Sequence, residues 1–184
     1  MAEPLHLLAD QLSTPIGAMR VAADEDGHLR VAFFAEGEAD ILRYLRRHYG
    51  EHGFLIEPAA NPHGITEAIG RYFAGELSAI DEIPVEAVGT EFQQEVWRAL
   101  RTIPCGSTTS YGKLAQQIGR PEVVRAVGLA DGANPIAVVV PCHRVIGTNG
   151  SLTGYGGGID RKRWLLQHEM EGTGPGSLWP LIGA

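Results

Sequence analysis

The sequence predicts a mixed α/β (α+β) fold in two parts. A small N-terminal α/β domain with an antiparallel sheet covers residues 1–88, and a mostly helical domain covers 89–172. Residues 173–184, rich in glycine and proline, form a tail. Three observations carry this reading. Strand-like and helix-like segments alternate in the first half. The second half is dominated by segments of helical apolar spacing. The boundary, near Val88–Thr90, separates an acidic half from a mildly basic one: residues 1–89 carry a net charge of −9 and residues 90–184 of +2. A length of 184 residues with 44% hydrophobic and 20% charged residues suits a globular chain with a real core.

In the first half, "TPIGAMRVAA" and "HLRVAFFA" are strand candidates joined by the hairpin signal "DEDG". "EADILRYLRRHYG" spaces Ile41, Leu42, Leu45 and Tyr49 as a helix and ends at Gly50. "HGITEAIGRYFAGEL" is a second helix, and "EIPVEAV" is a last strand or a linker.

In the second half, "TEFQQEVWRALRTI" predicts a helix capped at Thr90 or Glu91, with Phe92, Val96, Trp97 and Leu100 on one stripe. "STTSYGKLAQQIG" is a short helix capped by Thr109 or Ser110 and closed at Gly119. "RPEVVRAVGLADG" follows with Pro121 in its first turn. Two short helices around a glycine-containing turn have the outline of a helix-turn-helix. "NPIAVVV" reads as a buried strand, and "IDRKRWLLQHEM" as a closing helix with Asp160 in its first turn and Trp164, Leu165 and Leu166 toward the core.

Composition excludes several classes. No apolar run approaches a membrane span, the N-terminus lacks the basic start and apolar stretch of a signal peptide, and the scarcity of cysteine makes a reducing, cytoplasmic location the expectation. Two cysteines, Cys105 and Cys142, make no disulfide framework. The absence of CxxC and HExxH motifs predicts no metal site. The loop "GTNGSLTGYGGG" lacks the lysine of a phosphate loop, which argues against nucleotide binding.

The chemistry concentrates in "VVVPCHRVIG". Cys142 and His143 adjoin, but successive strand residues point to opposite faces. Pro141 ends the run, and a turn or helix start there lets the two share a pocket. Backbone N–H groups and a helix dipole at that point would lower the thiol pKa and ionise Cys142. Glu169 in the last helix is a candidate to orient the imidazole. On the residues alone, a cysteine hydrolase with a Cys–His pair and a non-catalytic helix-turn-helix DNA- or lesion-binding protein stay open as alternatives.

"PCHRVIG", together with "SYGKLA", "RAVG", "NP" and "GYGGG…RKRWLLQHE", strongly resembles the O6-alkylguanine-DNA alkyltransferases, over roughly residues 88–170. The resemblance implies a winged-helix-like helical domain and repair of DNA by direct reversal. The alkyl group of O6-alkylguanine, and of O4-alkylthymine, would move irreversibly to Cys142 without a cofactor. His143 would act through a water as base, oriented by Glu169. Asn134 would be the hinge before the active-site segment, and Tyr111 would protonate the leaving guanine. Arg125 would enter the base stack, and Ala126 and Gly128 would allow close approach to the minor groove. Gln93, Gly112, Arg120 and Thr148 match positions near the DNA backbone. Tyr155 would line the base pocket. Gly156 stands where some members carry a hydroxyl residue, so a backbone N–H would have to supply that contact. The expected partner is double-stranded DNA with alkylated bases, bound by a monomer acting alone or cooperatively along the duplex, with no membrane partner.

Overall fold

The computed structural model describes residues 3–35 and 38–174. The expected tail lies outside the described residues from position 175 onward.

A four-stranded sheet forms the first half, from β1 (Leu5–Thr14), β2 (Gly17–Asp24), β3 (Leu29–Phe34) and β4 (Phe54–Pro58), in the order β3-β2-β1-β4. The "DEDG" hairpin forms as expected: Gly27 takes φ +87, and its N–H donates to the Asp24 carbonyl. The sheet is not purely antiparallel, however. β4 pairs parallel with β1, because helix α1 (Glu38–Tyr49) carries the chain back across the sheet. β1 and β4 are additions to the two strands read from sequence. β1 lies between two partners and lacks the strict alternation that marks a strand with one wet face.

Alternating residues of β2 supply both faces of the sheet. Ala22, with Leu7 and Val31, packs against Ile41 and Leu45 of α1. Met19, Val21 and Ala23 face the other way. They join a core that runs through α2 (Ile65–Phe73) into Trp97, Leu100, Ile136 and Leu165 of the second half. One apolar cluster therefore crosses the boundary near residue 88.

The second half begins with α3 (Glu91–Leu100), capped by a reciprocal box: Thr90 Oγ1 accepts from the Gln93 N–H, and Gln93 Oε1 accepts from the Thr90 N–H. A two-residue strand β5 (Thr109–Ser110) leads into α4 (Tyr111–Gln117), where Ser110 Oγ caps the Lys113 N–H. Gly119 at φ +72 ends that turn. A 3-10 turn at Pro121–Val123 precedes α5 (Val124–Gly132). β5 pairs with β6 (Val145–Ile146), and α6 (Ile159–Thr173) closes the described fold. The paired helices α4 and α5 are the expected helix-turn-helix.

"NPIAVVV" is buried but is not a strand. Only Ile136 bridges to the sheet, opposite Ala32. The chain then makes two three-residue turns, with Val139 N–H donating to the Ala137 carbonyl and Cys142 N–H to that of Val140, each at 2.9 Å. Val138, at the centre of the first, sits at φ +72, a strained conformation for a β-branched residue. Asn134 explains the departure. Its Oδ1 accepts from the Ile136 N–H and its Nδ2 donates to the Val140 carbonyl, which takes backbone groups a ladder would need.

Candidate active site

Those tight turns deliver Cys142 to the first position of a single 3-10 turn, Cys142–Arg144. Asn134 Nδ2 donates to Cys142 Sγ at 3.2 Å and to the Val140 carbonyl at 2.8 Å, so one amide fixes both the thiol and the chain leading to it. Cys142 is 7% exposed and lines a cavity of about 330 Å³. Asp131, Asn134, Tyr155 and Gly156 share that lining, and Phe33, Phe34 and Tyr44 of the first half supply the opposite wall. The volume falls within the range of small-ligand sites.

The expected ionised thiol is not what the resting structure holds. Burial, reinforced by Asp131, pushes the Cys142 pKa up to about 12, while the Asn134 hydrogen bond and Lys162 act against the rise. The helix-dipole expectation fails for a local reason. The turn after Pro141 is only three residues long, and the Cys142 N–H, which favours the thiolate only weakly, also donates to the Val140 carbonyl. A thiol in this state needs a proton acceptor before it can attack, and His143 is the next residue in the chain.

His143 is fully buried, with Nε2 2.9 Å from Glu169 Oε1. Burial would raise the Glu169 pKa. His143 and Arg144 instead hold the carboxyl well below the usual carboxylate range. An ionised carboxylate only accepts hydrogen bonds, so Nε2 must carry the proton and Nδ1 carries the lone pair. Nδ1 is buried and has no partner among the described residues. Burial lowers the His143 pKa despite Glu169, which keeps the ring neutral and leaves the lone pair at Nδ1.

Glu169 is held from four directions. Besides His143, it accepts from Arg144 Nε and Nη2 at 2.9 and 2.8 Å, from the Tyr72 hydroxyl at 2.8 Å, and from the Gly106 N–H at 3.2 Å. A carboxylate buried away from water needs this many donors to stay ionised. Arg144 is itself anchored by Nη1 donating to the Ile103 carbonyl.

The remaining sequence-derived residues divide. Tyr111, at the start of α4, is half-buried, and its hydroxyl donates to the Thr153 carbonyl at 3.2 Å. Burial pushes its pKa up to about 12. The hydroxyl oxygen of Tyr155 is buried beside the cavity without a hydrogen-bond partner among the described residues. Arg125, on α5, is exposed, as is Thr148. Gly128 of α5 lies under the Tyr111 ring: a Cβ there would sit 3.7 Å from Cδ1. Ala126 and Gly112 are half-buried. Gln93 is engaged in its helix cap. Arg120 pairs with Glu95 at 3.3 Å and stacks over Phe92, so its charge is partly committed within the protein.

Four residues went unread in the sequence: Tyr72, Arg144, Asp131 and Lys162. Arg144 lies inside the quoted "PCHR", so its position was visible although its partner was not. Tyr72 is separated from Glu169 by 97 residues, and no local pattern announces that contact. One group with metal-ligating atoms, Asp24, His28 and Glu86, lies far from Cys142 in the sequence. Arg30 occupies it, pairing with Asp24 at 2.6 Å and with Glu86 at 2.9 Å.

Residues 91–171 match the family described as the DNA-binding domain of 6-O-methylguanine DNA methyltransferase. The chain is 50% identical over 165 residues to a methylated-DNA–protein-cysteine methyltransferase of Shigella flexneri, covering 90% of this chain and 96% of the relative. It is 61% identical to one from Mycolicibacterium paratuberculosis over 62% of this chain and 68% of the relative. Among solved structures it is similar to O6-methylguanine methyltransferase of Mycobacterium tuberculosis, with a TM-score of 0.73 at 43% identity, covering 95% of this chain and 97% of that one. The M. tuberculosis protein solved in complex with DNA matches with a TM-score of 0.74 at 42% identity, over 95% and 98% of the two chains.

Proposed function

The chain belongs to the methylated-DNA–protein-cysteine methyltransferase family, and from that premise we propose that Cys142 is its alkyl acceptor, served by His143 and Glu169. The protein binds DNA and repairs it by transferring an alkyl group to its own cysteine. The observation that carries the assignment is Cys142 itself. It is the cysteine that lines the base-sized cavity, and it directly precedes a buried histidine whose Nδ1 has no partner among the described residues. Cys105 lines a different cavity, with Pro141 and Arg144, and there burial and the neighbouring Glu169 carboxylate push its thiol pKa up to about 12.

The reaction follows from these positions. An O6-alkyl group is shielded inside the duplex, so the base must leave the stack. His143 Nδ1, through a water, takes the thiol proton, and Glu169 stabilises the resulting imidazolium. Cys142 Sγ attacks the alkyl carbon, a C–S bond forms, and the carbon–O6 bond breaks with its electron pair going to guanine. Tyr111 delivers a proton to the departing base. The thioether has no hydrolytic return, so each molecule acts once. O4-alkylthymine presents the same alkyl–oxygen bond and is a second substrate.

On the DNA side, α5 approaches the minor groove through Ala126 and Gly128, and Arg125 fills the space the base leaves. Gln93, Gly112, Arg120 and Thr148 lie along the backbone path. Tyr155 and Gly156 hold the extruded base. Residues 1–88 act as a support for the reacting half, 89–172. One monomer serves one lesion, and a binding titration against duplex length reads any cooperativity.

Intact-mass measurement after incubation with a duplex containing O6-methylguanine tests the reading. Wild type gains one methyl group and stops, and Cys142→Ala gains none. Repeated turnover would instead indicate a cysteine hydrolase. Lesion binding with no mass change would indicate a non-catalytic DNA-binding protein.

A further inference from the structure

Asp131 places a buried carboxyl in the wall of the proposed alkyl-transfer site. It ends the buried face of α5, is 1% exposed, and lines the same cavity as Cys142. Its Oδ1 is buried and has no hydrogen-bond partner among the described residues. The one buried cation acting on it is Lys162 of α6, fully buried, whose Nζ donates to the Val145 and Thr153 carbonyls rather than to a carboxylate. Lys162 is therefore fixed in place, and among the described residues no direct ion pair neutralises its charge.

The other groups around Asp131 are known from each packed element. Tyr111 of α4, Cys142, and Tyr155 of the glycine-rich loop each feel its charge. α3 presents the Trp97 indole, which donates to the neighbouring Ala130 carbonyl. Across the cavity, α1 contributes Asp40, paired with Arg43, and Tyr44. Among these, Lys162 is the cation that acts on both Asp131 and Cys142.

We propose that Asp131 and Lys162 together set the ionisation of Cys142: one buried positive charge can balance one neighbouring negative charge, so the carboxylate and the thiolate compete for it. Asp131 is thus a positioning residue that acts through Cys142. The inference rests on Cys142 being the acceptor and adds how its nucleophilicity is governed. Burial raises the Asp131 pKa to about 7, with Lys162 opposing the rise, so the competition is decided near neutrality. With Asp131 protonated, Lys162 supports the thiolate alone. With Asp131 ionised, a like charge in a water-poor wall opposes the thiolate.

The test uses the full chain and two neutral replacements, Asp131→Asn and Asp131→Ser, so that a folding defect in one leaves the other. The rate of chloroacetamide alkylation at Cys142 is followed by peptide mass spectrometry, which scores Cys105 separately, across roughly pH 5 to 10. Below its midpoint a thiol reacts in proportion to its thiolate fraction. Wild type should give a logarithmic rate profile that bends near pH 7. The replacements should give an unbent profile and react about tenfold faster above the bend, because a neighbouring like charge shifts a pKa by about one unit or more. Single-turnover methyl transfer from an O6-methylguanine duplex should show the same change. Profiles that coincide with wild type, or that move to higher pH, overturn the proposal. Absence of methyl transfer by wild type at every pH would instead overturn the assignment of function, while the chloroacetamide profiles would still decide the role of Asp131.

Discussion

The Tyr72 hydroxyl, at the end of α2, donates a 2.8 Å hydrogen bond to Glu169 Oε1, the same oxygen that faces His143 Nε2. A side chain of the first half thus reaches the carboxylate that orients the proposed base of the second. Both residues are fully buried, and Tyr72 is also wedged edge-on against Phe73 and His168. Tyr72→Phe keeps the ring packing and removes one donor. We expect a loss of about 1 kcal/mol in stability and a several-fold slower methyl transfer. Thermal unfolding and single-turnover kinetics check both. An unchanged transfer rate would make the contact purely structural.

Glu169→Gln breaks the pair with Arg144 and leaves a buried guanidinium without its counter-charge. The expected cost is roughly 3–5 kcal/mol. The pH dependence follows from the depressed carboxyl pKa. A group held below its unfolded value of about 4.5 contributes stability that is fully present above that pH and lost as pH falls through the folded value. Wild type should therefore lose stability on acidification below about pH 4.5, and the variant should lack that part of the slope. Urea midpoints at several acidic pH values read the difference.

Asn134→Ala removes the Nδ2 bonds to Cys142 Sγ and the Val140 carbonyl and the acceptor for the Ile136 N–H. It withdraws a hydrogen bond that favours the thiolate and frees the chain that presents it. Hydrogen bonds to a charged group contribute about 1.5–3 kcal/mol, so transfer should slow about tenfold or more. Single-turnover kinetics with a lesion duplex measures this.

Arg125 is exposed on α5, and its replacement by alanine should change stability by less than about 0.5 kcal/mol. If it fills the gap left by the base, its loss should slow reaction with a duplex while leaving reaction with free O6-methylguanine unchanged. Comparing the two rates isolates extrusion from chemistry. An equal fall in both would place Arg125 in the chemical step.

The helices were legible because their signals are local. Thr90 and Ser110 cap where expected, Gly119 ends α4 at φ +72, and the apolar stripe of α3 is buried at Val96, Trp97 and Leu100. β1 and β4 were not, because a strand between two partners needs no alternation and a parallel pairing depends on a distant crossover. The burial of "NPIAVVV" is legible in its apolar run, but its departure from a strand is not, since an asparagine side chain takes the backbone partners a ladder would use. At the site, Cys142, His143, Asn134 and Glu169 were legible through their motifs. The neutral thiol was not, because an ionisation state depends on burial and on the charges of Asp131 and Lys162, and sequence places none of these in space.

The cavity beside Cys142 takes one wall from Phe33, Phe34 and Tyr44, residues with no part in the chemistry. Adducts bulkier than methyl must find their room against that aromatic wall. On the proposed assignment, the room beside the reacting sulfur is thus bounded by the scaffold of the N-terminal half, apart from the sulfur and its relay.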